Sequence, residues 1–104
     1  MPGHAVILTT AGSDDEARKI ANALVERGLA ACVSVVPGVR STYRWDGRIL
    51  TESESLLVIK SRSDRFEKIR KVIRELHSYD VPEIVLLDVA DGDADYLAWL
   101  DANA

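Results

Sequence analysis

Residues 30–60, AACVSVVPGVRSTYRWDGRILTESESLLVIK, decide the fold. Apolar and β-branched residues run from Ala30 to Val36 and read as a strand. Pro37-Gly38 interrupts it, but Ser41, Tyr43 and Trp45 then alternate with Arg40, Thr42 and Arg44, so extended structure resumes and the whole reads as one long, bent strand. Asp46-Gly47 is a two-residue hairpin signal, because the primed turn needs positive φ at both central positions. The chain turns back there, and Arg48 to Lys60 forms the returning strand, polar over Thr51 to Ser55 and apolar from Leu56 to Ile59. The pattern predicts a hairpin whose tip projects beyond the core.

Upstream, His4 to Ala11 (HAVILTTA) is a β-branched apolar run that suggests a strand buried on both faces. Ser13-Asp14-Asp15-Glu16 fits a capping box, with acidic residues that complement the helix dipole. The helix it opens carries an apolar stripe at Ala17, Ile20, Ala21 and Leu24, and Gly28 is placed to close it in a left-handed cap. Downstream, Ser63 or Asp64 can cap a second helix with a stripe at Phe66, Ile69, Ile73 and Leu76, ending near His77. Beyond Pro82, Glu83 to Ala90 (EIVLLDVA) reads as a further strand, and Asp95 can cap a short final helix carrying Tyr96, Leu97, Trp99 and Leu100.

The order is β-α-β-β-α-β plus a short C-terminal helix: an α+β chain in the ferredoxin-like split βαβ arrangement, read as a single domain over residues 1–104. Leu56-Leu57-Val58-Ile59 and Ile84-Val85-Leu86-Leu87 are apolar at successive positions and present hydrophobic groups to both sheet faces. Two helices cover one face, and a short terminal helix cannot cover the other. The expectation is a homo-oligomer.

Composition narrows the function classes. The chain has 104 residues, 13 basic against 17 acidic, 47% hydrophobic residues and a single cysteine. That suits one small acidic globular domain with no intrachain disulfide and no four-cysteine zinc site within one subunit. Its apolar runs are far shorter than a membrane span, and Met1 to His4 carry no basic leader, which sets the expectation of a cytoplasmic protein without a membrane partner. Residues 60–79 hold seven basic groups against three acidic, and 80–104 none against seven. A basic nucleic-acid patch is one reading of the middle block. The other is an exposed helix face balanced by the acidic end, and with no aromatic RNA-binding motif present no nucleic-acid partner is expected.

The assembled blocks resemble the CutA family of divalent-cation tolerance proteins. The resemblance spans nearly the whole chain: Leu29-Ala30-Ala31-Cys32-Val33 before Pro37-Gly38, then Ser41-x-Tyr43-x-Trp45-x-Gly47, then Glu54-x-Leu56-Leu57-x-Ile59-Lys60. It continues in His77-Ser78-Tyr79-Asp80-Val81-Pro82-Glu83-Ile84 and ends in Asp95-Tyr96-Leu97-x-Trp99-Leu100. One departure is Ser78, where the usual family pattern has a proline that would stiffen the helix exit. The resemblance implies a ferredoxin-like protomer in a tight homotrimer, linked to tolerance of copper and other divalent metals, with metal binding in some members and no established catalytic activity. The alternative is a PII-like regulatory trimer that holds a small ligand or partner protein in an intersubunit cleft.

Cys32 and His77 are the candidate metal ligands, since a thiolate favours Cu(I) and imidazole suits copper or zinc. Each has a structural alternative: a thiol packed among small residues, and an imidazole bonded to helix-end carbonyls. Tyr43, Trp45, Glu54, Lys60 and Tyr79 match family positions and form the candidate ligand-binding set, the aromatics serving equally as interface anchors and Lys60 as an anion site or a carboxylate partner. The expected ligand is copper or another divalent metal, with none required for folding. Asp91, Asp93 and Asp95 match the opening of a calcium loop, but Tyr96 stands where that loop requires glycine and Ala102 where it requires glutamate, leaving a capped turn. No nucleophile elbow, Walker sequence, zincin or dinucleotide motif is present, and Cys32 with His77 lacks a third orienting group, so no enzyme is expected.

Overall fold

The computed structural model describes residues 3–104. Met1 and Pro2, where the reading of a missing leader began, lie outside the described residues. The elements are β1 (His4–Ala11), α1 (Asp14–Glu26), β2 (Cys32–Trp45), β3 (Arg48–Arg62), a 3-10 turn (Ser63–Arg65), α2 (Phe66–Leu76), β4 (Val85–Asp88) and α3 (Ala94–Asn103). They build a small α+β fold on one four-stranded antiparallel sheet ordered β2-β3-β1-β4.

Local chemistry sets the ends of α1. The Ser13 hydroxyl accepts from the Glu16 amide at 3.2 Å. At the other end Gly28 takes φ +69°, the Gly28 amide donates to the Val25 carbonyl and the Leu29 amide to the Leu24 carbonyl at 2.9 Å. That pair of bonds is a Schellman cap, and Leu29 and Leu24 supply the apolar contact that accompanies it. Because Ala30 also donates to Leu24, β2 starts at Cys32 instead of Ala30.

Ala5, Ile7 and Thr9 of β1 and Leu57, Ile59 and Ser61 of β3 are all fully buried. They face the stripe of α1 (Ala17, Ile20, Leu24) and that of α2 (Ile69, Val72, Ile73), Val72 being a core position the sequence reading left out. The opposite face carries Val6, Leu8, Leu56 and Val58, only half-buried, while Val85 and Leu87 of β4 are exposed. Strands apolar on both faces are therefore present, but burial on both faces is not reached within the protomer. Only the end of that second face meets α3, where Leu100 is buried and Asp101 Oδ1 lies 2.9 Å from His4 Nε2.

The interruption at Pro37-Gly38 is a bulge inside a continuous β2. Val36 pairs with Leu56 and Val39 with Glu54, so three steps on β2 oppose two on β3. Gly38 takes φ +72° to allow it. The extra residue reverses the alternation: Val39, Ser41, Tyr43 and Trp45 continue the face begun by Cys32, Ser34 and Val36 instead of crossing to the helix side. Asp46 and Gly47, at φ +53° and +76°, then form the primed turn expected of that dipeptide.

Three boundaries depart from expectation. Neither Ser63 nor Asp64 caps α2, because the Asp64 carboxylate is drawn to the Arg62 guanidinium at 2.6 and 3.1 Å and a 3-10 turn intervenes. The last strand is only Val85–Asp88, not Glu83 to Ala90; it pairs with Ala5 to Leu8, and beyond them the His77 ring bonds the Thr10 carbonyl instead. Asp93 caps α3, accepting from the Tyr96 amide at 3.3 Å, and Asp95 sits inside the first turn.

Candidate functional site

The projecting β2–β3 ribbon and the loop that leaves α2 enclose a cleft of about 810 Å³. Tyr43 and Trp45 come from β2, Glu52 and Glu54 from β3, and Tyr79 with Asp80 and Glu83 from the loop. Glu52 and Glu54 are two residues apart on an extended strand, which aims both carboxylates to one side. The bulge brings Tyr43 and Trp45 to that same side.

His77 holds the loop against the sheet. Its Nε2 donates to the Thr10 carbonyl at 2.6 Å and its Nδ1 accepts from the Tyr79 amide at 3.0 Å, which fixes the tautomer and occupies both ring nitrogens. The Tyr79 ring tilts against the imidazole, with centroids 4.6 Å apart. The Tyr79 hydroxyl donates to Glu54 Oε2 at 2.7 Å. Burial, and then the Glu54 carboxylate, raise the pKa of this phenol. Gly12 leaves room for the same contact, since a Cβ there would stand 3.0 Å from the Tyr79 hydroxyl. On the ribbon the Tyr43 hydroxyl donates to Glu52, and that hydrogen bond is the main cause of the raised Tyr43 pKa.

Among the described residues that line the cleft, four are carboxylates (Glu52, Glu54, Asp80 and Glu83) and none is Lys or Arg. Oxygen donors of this kind suit hard or borderline divalent cations. They are spread along the cleft: among the described residues, no three His, Cys, Asp or Glu side chains converge on one point.

The residues singled out in the sequence divide into two groups. Tyr43, Trp45, Glu54 and Tyr79 line the cleft together, and His77 braces it from behind. Cys32 and Lys60 do not join them. They are cross-strand partners, with Lys60 Nζ donating to Ser34 Oγ at 2.6 Å on the uncovered sheet face. Lys60 pairs with Val6 and Leu56 with Thr10, so Cys32 lies four residue rows, roughly 13 Å, along the sheet from the His77 contact. Within one protomer Cys32 and His77 are therefore not brought together. Glu52 was missed, although its alternation with Glu54 and Leu50 beside a hairpin was a readable signal.

A four-stranded antiparallel sheet with its two longer helices on one side, a long projecting hairpin and an acidic aromatic cleft define a small α+β fold. Residues 5–103 match the model of the CutA1 divalent ion tolerance protein family. The chain belongs to that family. It is 48% identical over 98 residues to the divalent-cation tolerance protein CutA of Thermus thermophilus, covering 94% of this chain and 95% of that protein. It is 40% identical over 95 residues to the chloroplastic protein CutA of Arabidopsis thaliana, covering 91% of this chain and 52% of the plant protein. The solved structure of the periplasmic divalent cation tolerance protein CutA of Archaeoglobus fulgidus superposes with a TM-score of 0.93 at 36% identity, covering 96% and 97% of the two chains.

These relatives correct the expectation of a cytoplasmic protein. The plant protein is named chloroplastic and the archaeal one periplasmic, so the family points to compartments other than the cytoplasm. The names are those of tolerance proteins rather than of an enzyme.

Proposed function

We propose that this protein is a homotrimeric metal-response protein that binds divalent cations, copper among them, in the cleft between the ribbon and the Tyr79 loop. The observation that carries the reading is the cleft wall, with four carboxylates and, among the described lining residues, no cationic side chain. Glu52 and Glu54 each accept one tyrosine hydroxyl, which orients their carboxylates toward the cleft. The tolerance activity named for its relatives supports the same reading. An anionic ligand of the PII-like kind would meet repulsion from every charged group on that wall.

Self-association is supported by the half-buried apolar sheet face and by the exposure of Trp45 and Ile49 at the hairpin tip, 55% and 66%, and the number three rests on the family resemblance. Cys32 belongs to the proposal as a soft ligand whose coordination a neighbouring subunit would complete. His77 would first have to release the Thr10 carbonyl or the Tyr79 amide. Folding itself requires no metal in this reading, because the core of α1, α2 and the sheet closes on apolar side chains.

Titration calorimetry with Cu(I), Cu(II) and Zn(II), against a competing chelator and with mass measured by light scattering, tests this. Stoichiometric Cu(II) or Zn(II) binding by a trimer, weakened in Glu52→Gln and Glu54→Gln, is expected. Binding that is lost in Cys32→Ala and unchanged in both glutamine variants would move the site to the sheet face and overturn the cleft assignment.

A further inference from the structure

The Glu16 carboxylate does not complete its own helix cap. A capping box would return it to the Ser13 amide. It instead leaves α1 and accepts from the Ser78 amide at 2.7 Å and from the Ser78 hydroxyl at 3.1 Å, 62 residues along the chain. Its neighbours in the first turn behave differently: Asp14 and Asp15 are more exposed and, among the described residues, pair only with Arg18 on the same helix. Ser78 lies between His77, which grips the Thr10 carbonyl, and Tyr79, which reaches Glu54 in the cleft.

We propose that Glu16 is a positioning residue for the cleft, a latch on α1 that holds the 77–79 loop through Ser78 and so keeps the Tyr79 hydroxyl on Glu54. The inference rests on the reading of the cleft as the cation site. Three ties act on consecutive residues: Glu16 on Ser78, the Thr10 carbonyl on His77, and Glu54 on Tyr79. The first is the one that comes from outside the sheet, and it is double. A serine at position 78 supplies both donors, amide and hydroxyl, whereas a proline would supply neither. In this chain, loop rigidity that a proline ring would provide locally comes instead from a charge-assisted bond to a helix 62 positions away.

The test uses the full chain with Glu16→Asp, which keeps the charge at the helix start but shortens the reach by one methylene, and Ser78→Ala, which removes one donor. Asp15→Ala is the control for charge at that helix end. Two quantities are read: the hydrogen-exchange protection of the backbone amides of residues 77–79, and the affinity for Zn(II). With the latch released, those amides exchange faster in Glu16→Asp and Zn(II) binds about fivefold more weakly, with a smaller change in Ser78→Ala and none in Asp15→Ala. Unchanged amide protection in both Glu16→Asp and Ser78→Ala overturns the latch. Loss of the cleft reading shows differently: Zn(II) affinity is then unchanged in Glu54→Gln as well, while the amide protection still reports whether Glu16 holds the loop.

Discussion

Between Ser55 and Ser61, β3 buries every second residue, with Leu57, Ile59 and Ser61 fully covered; between Arg48 and Glu54 the same strand buries none. Both halves pair with β2 in an unbroken ladder on either side of the bulge. The half under the helices is held by apolar area removed from water. The projecting half has ladder hydrogen bonds, cross-strand pairs such as Thr42 Oγ1 with Thr51 Oγ1 at 3.0 Å, a turn with the right residues and the Tyr79 hydroxyl on Glu54. An isolated two-stranded ribbon is marginal in water. The base therefore carries the stability, and the ribbon carries the cleft residues at little stability of its own.

The largest expected effect separates the two halves directly. Leu57→Ala empties a fully buried site and should cost about 2–5 kcal/mol in urea unfolding, whereas Ser53→Ala, exposed on the ribbon, should stay within about 0.5 kcal/mol. Similar losses at the two sites would mean that the ribbon is packed as tightly as the base, as a permanently buried subunit interface would make it. The bulge between the halves comes next. Nothing lies within 4 Å of a Cβ built on Gly38, so Gly38→Ala tests backbone strain alone, about 1–2 kcal/mol at φ +72°. Deleting Gly38 instead leaves two steps of β2 opposite two of β3, so the bulge is lost while Tyr43 and Trp45 keep both their face and their β3 partners. Cation binding should then persist with the helix-covered core intact by circular dichroism, and loss of binding would mean that the bend at the bulge itself shapes the cleft.

The same contrast explains what could be read from the sequence. Features governed by neighbours in the chain were legible: the Ser13 cap, the Gly28 closure, the Asp46-Gly47 turn and the bent strand. Features decided by competition between distant groups were not. Asp64 has the chemistry of a cap, but Arg62 claims its carboxylate. Glu16 fits the capping box, yet Ser78 takes it. Pairing Cys32 with His77 was reasonable on ligand type alone, and only the strand register separates them. Tyr43, Trp45, Glu54 and Tyr79 do share one cleft. Lys60 shares their face of the sheet but lies six residues along β3 from Glu54, because sequence blocks carry no information about which row of the sheet they occupy.

The two halves should also respond to opposite ends of the pH scale. On the cleft side, the folded Tyr79 phenol has a pKa above the ordinary 10.0. Its contribution is therefore complete below that value and lost as the pH climbs toward the folded one, because the unfolded chain releases the proton first. Tyr79→Phe should flatten the fall in melting temperature above about pH 10. A fall as steep as in the unmodified protein would mean that the ionisation destabilising the fold lies elsewhere.

The smallest effect belongs to the base. Where β3 leaves the sheet, the Arg62 guanidinium hydrogen-bonds the Asp64 carboxylate and holds its pKa below the ordinary carboxylate value. The sign is then opposite to that of Tyr79: the stabilisation is fully present above about pH 4 and lost as the pH falls through the lowered folded value, where the carboxylate takes up its proton. Asp64→Asn should lower the melting temperature slightly at pH 6, and the difference from the unmodified protein should close by about pH 2. Because the pair is open to solvent, added salt should shrink the difference at pH 6 as well. A gap that persists unchanged at pH 2 would assign the effect to the geometry of the 3-10 turn before α2, and the ion pair would then be a consequence of that turn and not one of its causes.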